Sequence, residues 1–236
     1  MLSEGYAQSD TSNFFYTLGI GAGRIFNTDM PPQNYMLDLY PFSRKNAINF
    51  SISIGKKIKG KYHTELIFEN KGLDFQKKEY IKGIEERLVD TLYYNDFNQD
   101  NTNSTGNRFT TSSFYFRLGY IIKSKKIDYL PFVSFGIRRW RHRNYNYILS
   151  PVNSNSYTKY NFDGTFKYRF AYNVGIKFKL KNWDYLQLGM NFTGGSATFE
   201  YNVKTTDYFG VSTERKVSFK RQMNLIGLSI TMFIPL

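Results

Sequence analysis

The chain has 236 residues, no cysteine, 41% hydrophobic and 19% aromatic residues, and a formal net charge of +13. The length suits one all-β domain or two small ones; the missing cysteines exclude a disulfide framework and any thiolate site, and no run approaches the roughly 18 apolar residues of a membrane-spanning helix. The positive charge invites a nucleic-acid reading, but Lys and Arg fall mostly in turns and loops between strands, so no nucleic-acid partner is expected.

Residues 1–11 lack the basic start and apolar core of a secretory signal. Gly5-Tyr6-Ala7 before Gln8 has the small-x-small form of a cleavage site, so this segment reads as a tail or signal-peptide remnant with the mature start near Gln8. Residues 12–236 read as one domain. From Phe14 to Phe26, Tyr16, Leu18, Ile20 and Ala22 alternate with Thr17, Gly19, Gly21 and Gly23, the period-2 pattern of a strand. The Gly-x-Gly-x-Gly run has the wrong spacing for a dinucleotide fingerprint, and no helical pattern follows it. Asn27–Ser43, with Pro31, Pro32 and Pro41, reads as a loop.

A second strand, Asn46–Lys57, sets Ile48, Phe50, Ile52 and Ile54 against Asn49, Ser51, Ser53 and Gly55. After the short turn Lys56–Lys61, a third strand from Tyr62 to about Phe75 sets Leu66 and Phe68 against Glu65 and Glu69. Lys77–Asn107 is the longest irregular segment, and the spacing of Ile84, Leu88, Val89 and Leu92 permits a short helix. Within it, Asp96-x-Asn98-x-Asp100 resembles the start of a calcium loop, but Asn101 replaces the required Gly and Asn107 the closing Glu, which leaves a solvated Asn/Asp-rich loop as the reading. No metal or cofactor is expected.

The fourth strand, Thr110–Lys123, sets Phe114, Phe116, Leu118 and Tyr120 against Tyr115, Arg117 and Gly119. The fifth, Tyr129 to about Arg141, sets Val133, Phe135 and Ile137 against Ser134, Gly136 and Arg138; Pro131 is expected to force a bulge or shift its register. A polar loop, Asn144–Asp163, precedes the sixth strand, where Tyr168, Phe170, Tyr172, Val174, Ile176 and Phe178 oppose Arg169, Ala171, Asn173, Gly175 and Lys177. Leu186 to Phe192 is the seventh strand. A loop over roughly Lys204–Arg215 leads to the last, in which Asn224, Ile226, Leu228, Ile230, Met232 and Ile234 form one row.

Connections alternate short and long, and two short ones share a pattern, Lys125-Lys126-Ile127-Asp128-Tyr129-Leu130 and Lys181-Asn182-Trp183-Asp184-Tyr185-Leu186. Short turns at one rim and long loops at the other predict a closed, all-β, up-and-down antiparallel barrel of about eight strands. The apolar rows are too bulky for so narrow a lumen, while the opposite rows are small and polar; a soluble barrel would carry Lys and Glu on its outer rows instead. The apolar rows are therefore expected to meet hydrocarbon, where a closed barrel satisfies every backbone group. Tyr120, Tyr129, Trp183 and Tyr185 at one rim, and Trp140 and Tyr168 toward the other, read as aromatic girdles.

Strand number, loop alternation and the terminal Leu228-Ser229-Ile230-Thr231-Met232-Phe233 segment resemble the small eight-stranded outer-membrane barrels of the OmpA/OmpX type, especially the outer-membrane β-barrel proteins of Bacteroidota. The terminal segment looks like the sorting signal of that family, although the chain goes on through Ile234, Pro235 and Leu236. The resemblance implies a bacterial outer-membrane protein with periplasmic termini and short turns and with extracellular long loops. It implies a structural or interaction role, such as an accessory subunit of a larger outer-membrane complex; the alternatives are a narrow channel and a lipid-modifying enzyme. Against an enzyme, neither His63-Thr64-Glu65 nor His142-Arg143-Asn144 supplies the His-x-Ser pair of outer-membrane lipid A deacylases, and no catalytic group is expected.

Glu65, Glu69, Arg117 and Arg169 lie on lumen faces and are expected to form structural ion pairs, with Arg24 and Lys177 able to join, because buried charge must be paired. Arg138, Arg139, Arg141 and Arg143 cluster at the long-loop rim. Arginine's planar fork suits phosphates, so the cluster reads equally as an ordinary solvated loop or as a contact for lipopolysaccharide phosphates or an acidic partner such as another outer-membrane protein.

Overall fold

The computed structural model describes residues 13–26, 46–73, 93–96, 109–141, 145–151, 158–183 and 185–236. The described residues form twelve strands: β1 (Phe14–Phe26), β2 (Asn46–Ile58), β3 (Tyr62–Leu73), β4 (Tyr93–Asp96), β5 (Phe109–Tyr120), β6 (Ile127–Arg141), β7 (Tyr145–Pro151), β8 (Thr158–Phe166), β9 (Tyr168–Leu180), β10 (Leu186–Thr206), β11 (Ser212–Gln222) and β12 (Asn224–Pro235). Eight of them, in the order β1-β2-β3-β5-β6-β9-β10-β12, close a barrel in which every neighbouring pair is antiparallel. Closure is made by β12 on β1, from Phe15 opposite Pro235 to Phe26 opposite Asn224, which leaves no free edge in the barrel wall.

Side-chain parity sorts the two surfaces. On β12, Ile226, Leu228, Ile230, Met232 and Ile234 point outward and are exposed, while Leu225, Thr231 and Phe233 point inward and are buried. The same holds around the wall, with Leu18 and Ile20, Ile52 and Ile54, Phe114 and Phe116, and Phe135 and Ile137 all exposed. On β12 the outer row covers nine residues, the length a tilted strand needs to cross hydrocarbon. Such a belt, unbroken by charge, is far beyond the few hundred Å² of apolar patch that a soluble monomer exposes.

The turn between β2 and β3 is tight because Lys59 and Gly60 both adopt positive φ, 51° and 65°, the backbone twist that matches a two-residue hairpin. Lys61 N–H donates to Ile58 C=O across it, at 3.3 Å. At the other rim the sheet does not stop. β7 pairs with β8, and β8 pairs with the distal half of β10, in the line already set by β6 and β9. β11 pairs with β10 from Ser196–Gln222 out to Thr206–Ser212, and β4 pairs with β7. Between the β9–β10 and β8–β10 ladders the register slips by one residue, and the extra residue lies on the β8–β9 side, where Lys167 interrupts the strand and four residues, 167–170, stand against three of β10.

The expected strand number and closure are what the structure shows, but three expectations need correction. Asn144–Asp163 is not a plain polar loop, because it contains β7 and the start of β8; likewise β10 and β11 leave only residues 207–211 of the expected Lys204–Arg215 loop. These strands extend hairpins that already exist, so they need no apolar face of their own to form. Pro131 causes neither bulge nor shift: β6 holds one register with β9 throughout. Its missing N–H coincides with a gap in the β5 ladder, which ends at Gly119–Phe132 and resumes only at the Ile122–Tyr129 bridge. Residues 1–11, the possible helix around Ile84–Leu92 and the calcium-like loop beyond Asp96 lie outside the described residues.

Candidate functional site

The inward rows of the barrel are not merely small and polar; they carry a buried cluster of charged side chains. Near the short-turn end Phe15 and Phe233 face each other across the β1–β12 seam with ring centroids 4.7 Å apart. Inward parity places His63, Glu65, Glu69 and Lys71 on β3, Arg117 on β5 and Lys177 on β9, all buried. Arg117 stands directly opposite Glu65 on the neighbouring strand, and its Nη1 donates to Glu65 Oε2 at 2.9 Å. Lys177 reaches the same carboxylate from across the lumen, with Nζ donating to Oε1 at 3.2 Å. His63 Nε2 lies 3.2 Å from Oε1, and Ser53 Oγ donates to Oε2 at 3.3 Å.

One carboxylate thus ties β2, β3, β5 and β9 together. Arg117 is further fixed by Nε donating to Ser134 Oγ at 3.2 Å and by stacking of its guanidinium on Phe132, 3.9 Å from the ring centroid. The second acid, Glu69, pairs with Lys71 at 3.0 Å and accepts from Asn49 Nδ2 at 3.1 Å. Between the two acids remains a cavity of about 30 Å³, with Thr17, Ser51, Asn173 and Asn191 also on its wall. That is room for a water or two.

Of the residues singled out from sequence, Glu65 and Arg117 come together, and Glu69 lies in the same lumen with a different partner. Arg169 does not join either acid: its Nε donates to Thr198 Oγ1 at 3.0 Å, near the long-loop rim. Arg24 is exposed on the outer wall, since it shares parity with Ala22 and not with the inward glycines. Lys177 does join. His63, weighed from sequence only as half of a His-x-Ser pair, belongs to the cluster because it sits two residues before Glu65 on the same face.

The arginine run splits by parity. Arg138 is not a rim phosphate ligand: it is 1% exposed, and its Nη2 crosses the lumen to Met223 C=O at 3.0 Å. Trp140, expected in the outer girdle, is 2% exposed and also points inward. Arg139, over the Tyr168 ring at 5.8 Å, and the exposed Arg141 point outward; Arg143 lies outside the described residues. On the outer wall above the apolar belt, Lys167 donates to Glu200 at 2.9 Å, and this bond holds the Glu200 carboxyl below the usual carboxylate range.

Glycines on the inner rows make room for the plug. A Cβ at position 119 would fall inside the His63 imidazole, 2.6 Å from Nδ1 and 2.7 Å from Nε2. Gly119→Val is therefore expected to lower barrel stability by about 1–3 kcal/mol, read as a shifted urea midpoint by tryptophan fluorescence. Gly72→Ala, whose Cβ would meet nothing within 4 Å, is expected to be near neutral; equal midpoints for the two variants would contradict the packing described here.

No family model and no curated relative matches the chain. Among solved structures it is similar to Neisserial surface protein A, at 8% identity over 95% of this chain and 98% of that one, with a TM-score of 0.45. It is also similar to a major outer membrane protein from Thermus thermophilus, at 8% identity over 93% and 99%, with a TM-score of 0.43. A third is a TodX mutant described as a monoaromatic hydrocarbon channel, at 9% identity over 95% of this chain and 67% of that one, with a TM-score of 0.40.

Proposed function

We propose that this chain is an integral outer-membrane barrel of the OmpA/OmpX kind with a non-catalytic, structural and interaction role, working as an accessory subunit of a larger outer-membrane assembly. The termini and short turns face the periplasm and the projecting hairpins face outside. The apolar outer rows and the plugged lumen support a membrane barrel that offers no wide passage.

The observation that carries the interaction role is the β10–β11 hairpin. Each of its strands continues for eleven residues past the barrel wall, about 35 Å at the usual rise per residue. Its turn is rigid: Gly210 adopts a φ of 81°, Gly210 N–H donates to Asp207 C=O at 3.0 Å, and Asp207 Oδ1 accepts from Val211 N–H at 2.8 Å. Yet this turn presents Tyr208, Phe209 and Val211 to solvent, with Phe209 85% exposed and its ring edge-on to Tyr208. Aromatic side chains held on a stiff support resemble the anchors that dominate protein interfaces. Arg139 and Arg141, outward at the rim, would meet lipopolysaccharide phosphates.

The test is gentle purification from native membrane. A defined companion protein should co-elute with the natural chain and be lost with Phe209→Ser, while both forms keep the heat-modifiable gel mobility of a folded barrel. Unchanged co-elution with Phe209→Ser, or a chain that elutes alone, would overturn the reading. In planar bilayers the natural protein should show no large steady current; a stable open state would favour the channel alternative. Among the described residues the buried side chains contribute four cations, Lys71, Arg117, Arg138 and Lys177, against two carboxylates, so any leak should prefer anions.

A further inference from the structure

We propose that the outer edge of β11 is a docking site for an extended acidic strand of a partner protein, which adds to the projecting sheet as its next strand. This site rests on the interaction role proposed for the same hairpin and specifies the partner's chemistry. Among the described residues β11 pairs with β10 alone, whereas every strand of the barrel wall is paired on both sides.

Two hydrogen bonds fix which groups the edge presents. In an antiparallel ladder, pairs that exchange both bonds alternate with pairs that exchange none. At the foot of the hairpin Met223 N–H donates to Gly195 C=O at 2.8 Å, and at its turn Asp207 N–H donates to Val211 C=O at 3.0 Å. The register between them runs without a slip, from Ser196 opposite Gln222 to Thr206 opposite Ser212. Odd-numbered residues of β11 therefore bond to β10, while Ser212, Glu214, Lys216, Ser218 and Lys220 turn N–H and C=O away from it. All five are exposed. So long a row of unpaired backbone groups is a template for another strand.

The side chains of this row select the occupant. Lys216 and Lys220 flank Ser218 on one face of the sheet, opposite Asn202 and Thr198 of β10. The carboxylates beside them are engaged: Glu200, which also lies in the field of Lys216, accepts from Lys167 at 2.9 Å, and Glu214 stands opposite Lys204. Antiparallel pairing with a second copy centred on Ser218 would set Lys216 against Lys220, and like charges directly opposite are destabilising. An incoming strand with carboxylates four residues apart would instead place one opposite each lysine. The edge thus disfavours its own copy and accepts an acidic strand.

The probe is a fluorescein-labelled peptide, Thr-Glu-Val-Thr-Val-Glu-Thr, titrated with the full chain folded in phosphatidylcholine nanodiscs and followed by anisotropy. Saturable one-to-one binding is expected, and the peptide with lysine in place of both glutamates should bind at least about tenfold more weakly. Ser218→Pro removes an edge-facing N–H but no bond to β10, and should weaken binding by about tenfold or more. Ser218→Thr keeps that N–H and should change binding less than about twofold. Gel mobility before heating verifies that each variant is folded, and amide exchange on β10 that its hairpin is intact. Absence of saturable binding to the natural chain, equal affinity for the lysine peptide, or undiminished binding by Ser218→Pro overturns the proposal. A companion protein that is lost with Phe209→Ser but kept in full with Ser218→Pro would also overturn it, while leaving the interaction role standing.

Discussion

Replacing Glu65 with leucine is expected to destabilise the barrel by about 3–5 kcal/mol, because it strands Arg117 and Lys177 in the lumen without their shared counter-ion. Both cations are buried and both contact that one carboxylate, at 2.9 and 3.2 Å. The readout is the urea midpoint of the detergent-folded protein. The triple change Glu65→Leu/Arg117→Met/Lys177→Leu should recover most of the loss, since replacing a whole buried ionic cluster by apolar groups is often neutral or better. Arg138→Met offers a contrast: it removes a buried charge instead of exposing one, and should cost no more than about 1 kcal/mol. A Glu65→Leu midpoint close to that of the natural protein would mean that the lumen is wet and the cluster is not what closes it.

The second large effect concerns the outer wall. Phe116→Arg, in the middle of an exposed apolar row on β5, should cost about 2–4 kcal/mol in a bilayer, as charges do near the midplane of barrel strands. Val211 is also exposed but sits in the projecting turn, and Val211→Arg should shift stability by less than about 0.5 kcal/mol. The pair separates exposure to lipid from exposure to water. Equal, small effects would mean that both surfaces meet water.

The barrel itself was legible in the sequence because every wall strand carries its own alternation, and a one-residue slip anywhere would turn an apolar row inward. Glu65 and Arg117 were legible as a pair for the same reason: they are direct cross-strand neighbours. Lys177 could be placed in the lumen by parity, but its partner lies across the barrel axis, and no local pattern states which far wall a long side chain will reach. Arg138 and Trp140 were misplaced by treating residues 138–143 as one basic block at a rim. The period of two that set Ser134 and Gly136 inward applies unchanged to positions 138 and 140, and burial follows it.

The projecting strands were hidden for a different reason. Segments such as Tyr145-Asn146-Tyr147 and Ser212-Thr213-Glu214-Arg215 mix strand-favouring residues with turn formers, and their alternation spells no continuous apolar row. They are strands because the hairpins beneath them fix their register and leave each new backbone pair to close in turn. The extent of a hairpin beyond a membrane wall is thus set by pairing, which single-sequence periodicity does not report.

Membrane residence and the roles that follow from it depend on the bulky rows facing acyl chains. The chain lacks cysteine, so single Cys substitutions from Ser113 to Leu118 can each carry one nitroxide label in a lipid bilayer. Collision with dissolved oxygen, which concentrates in hydrocarbon, is expected to peak at positions 114, 116 and 118 and to fall at 113, 115 and 117, while a water-soluble nickel chelate reaches none of the three peaks. A nickel chelate that collides freely at 114, 116 and 118 would contradict that orientation.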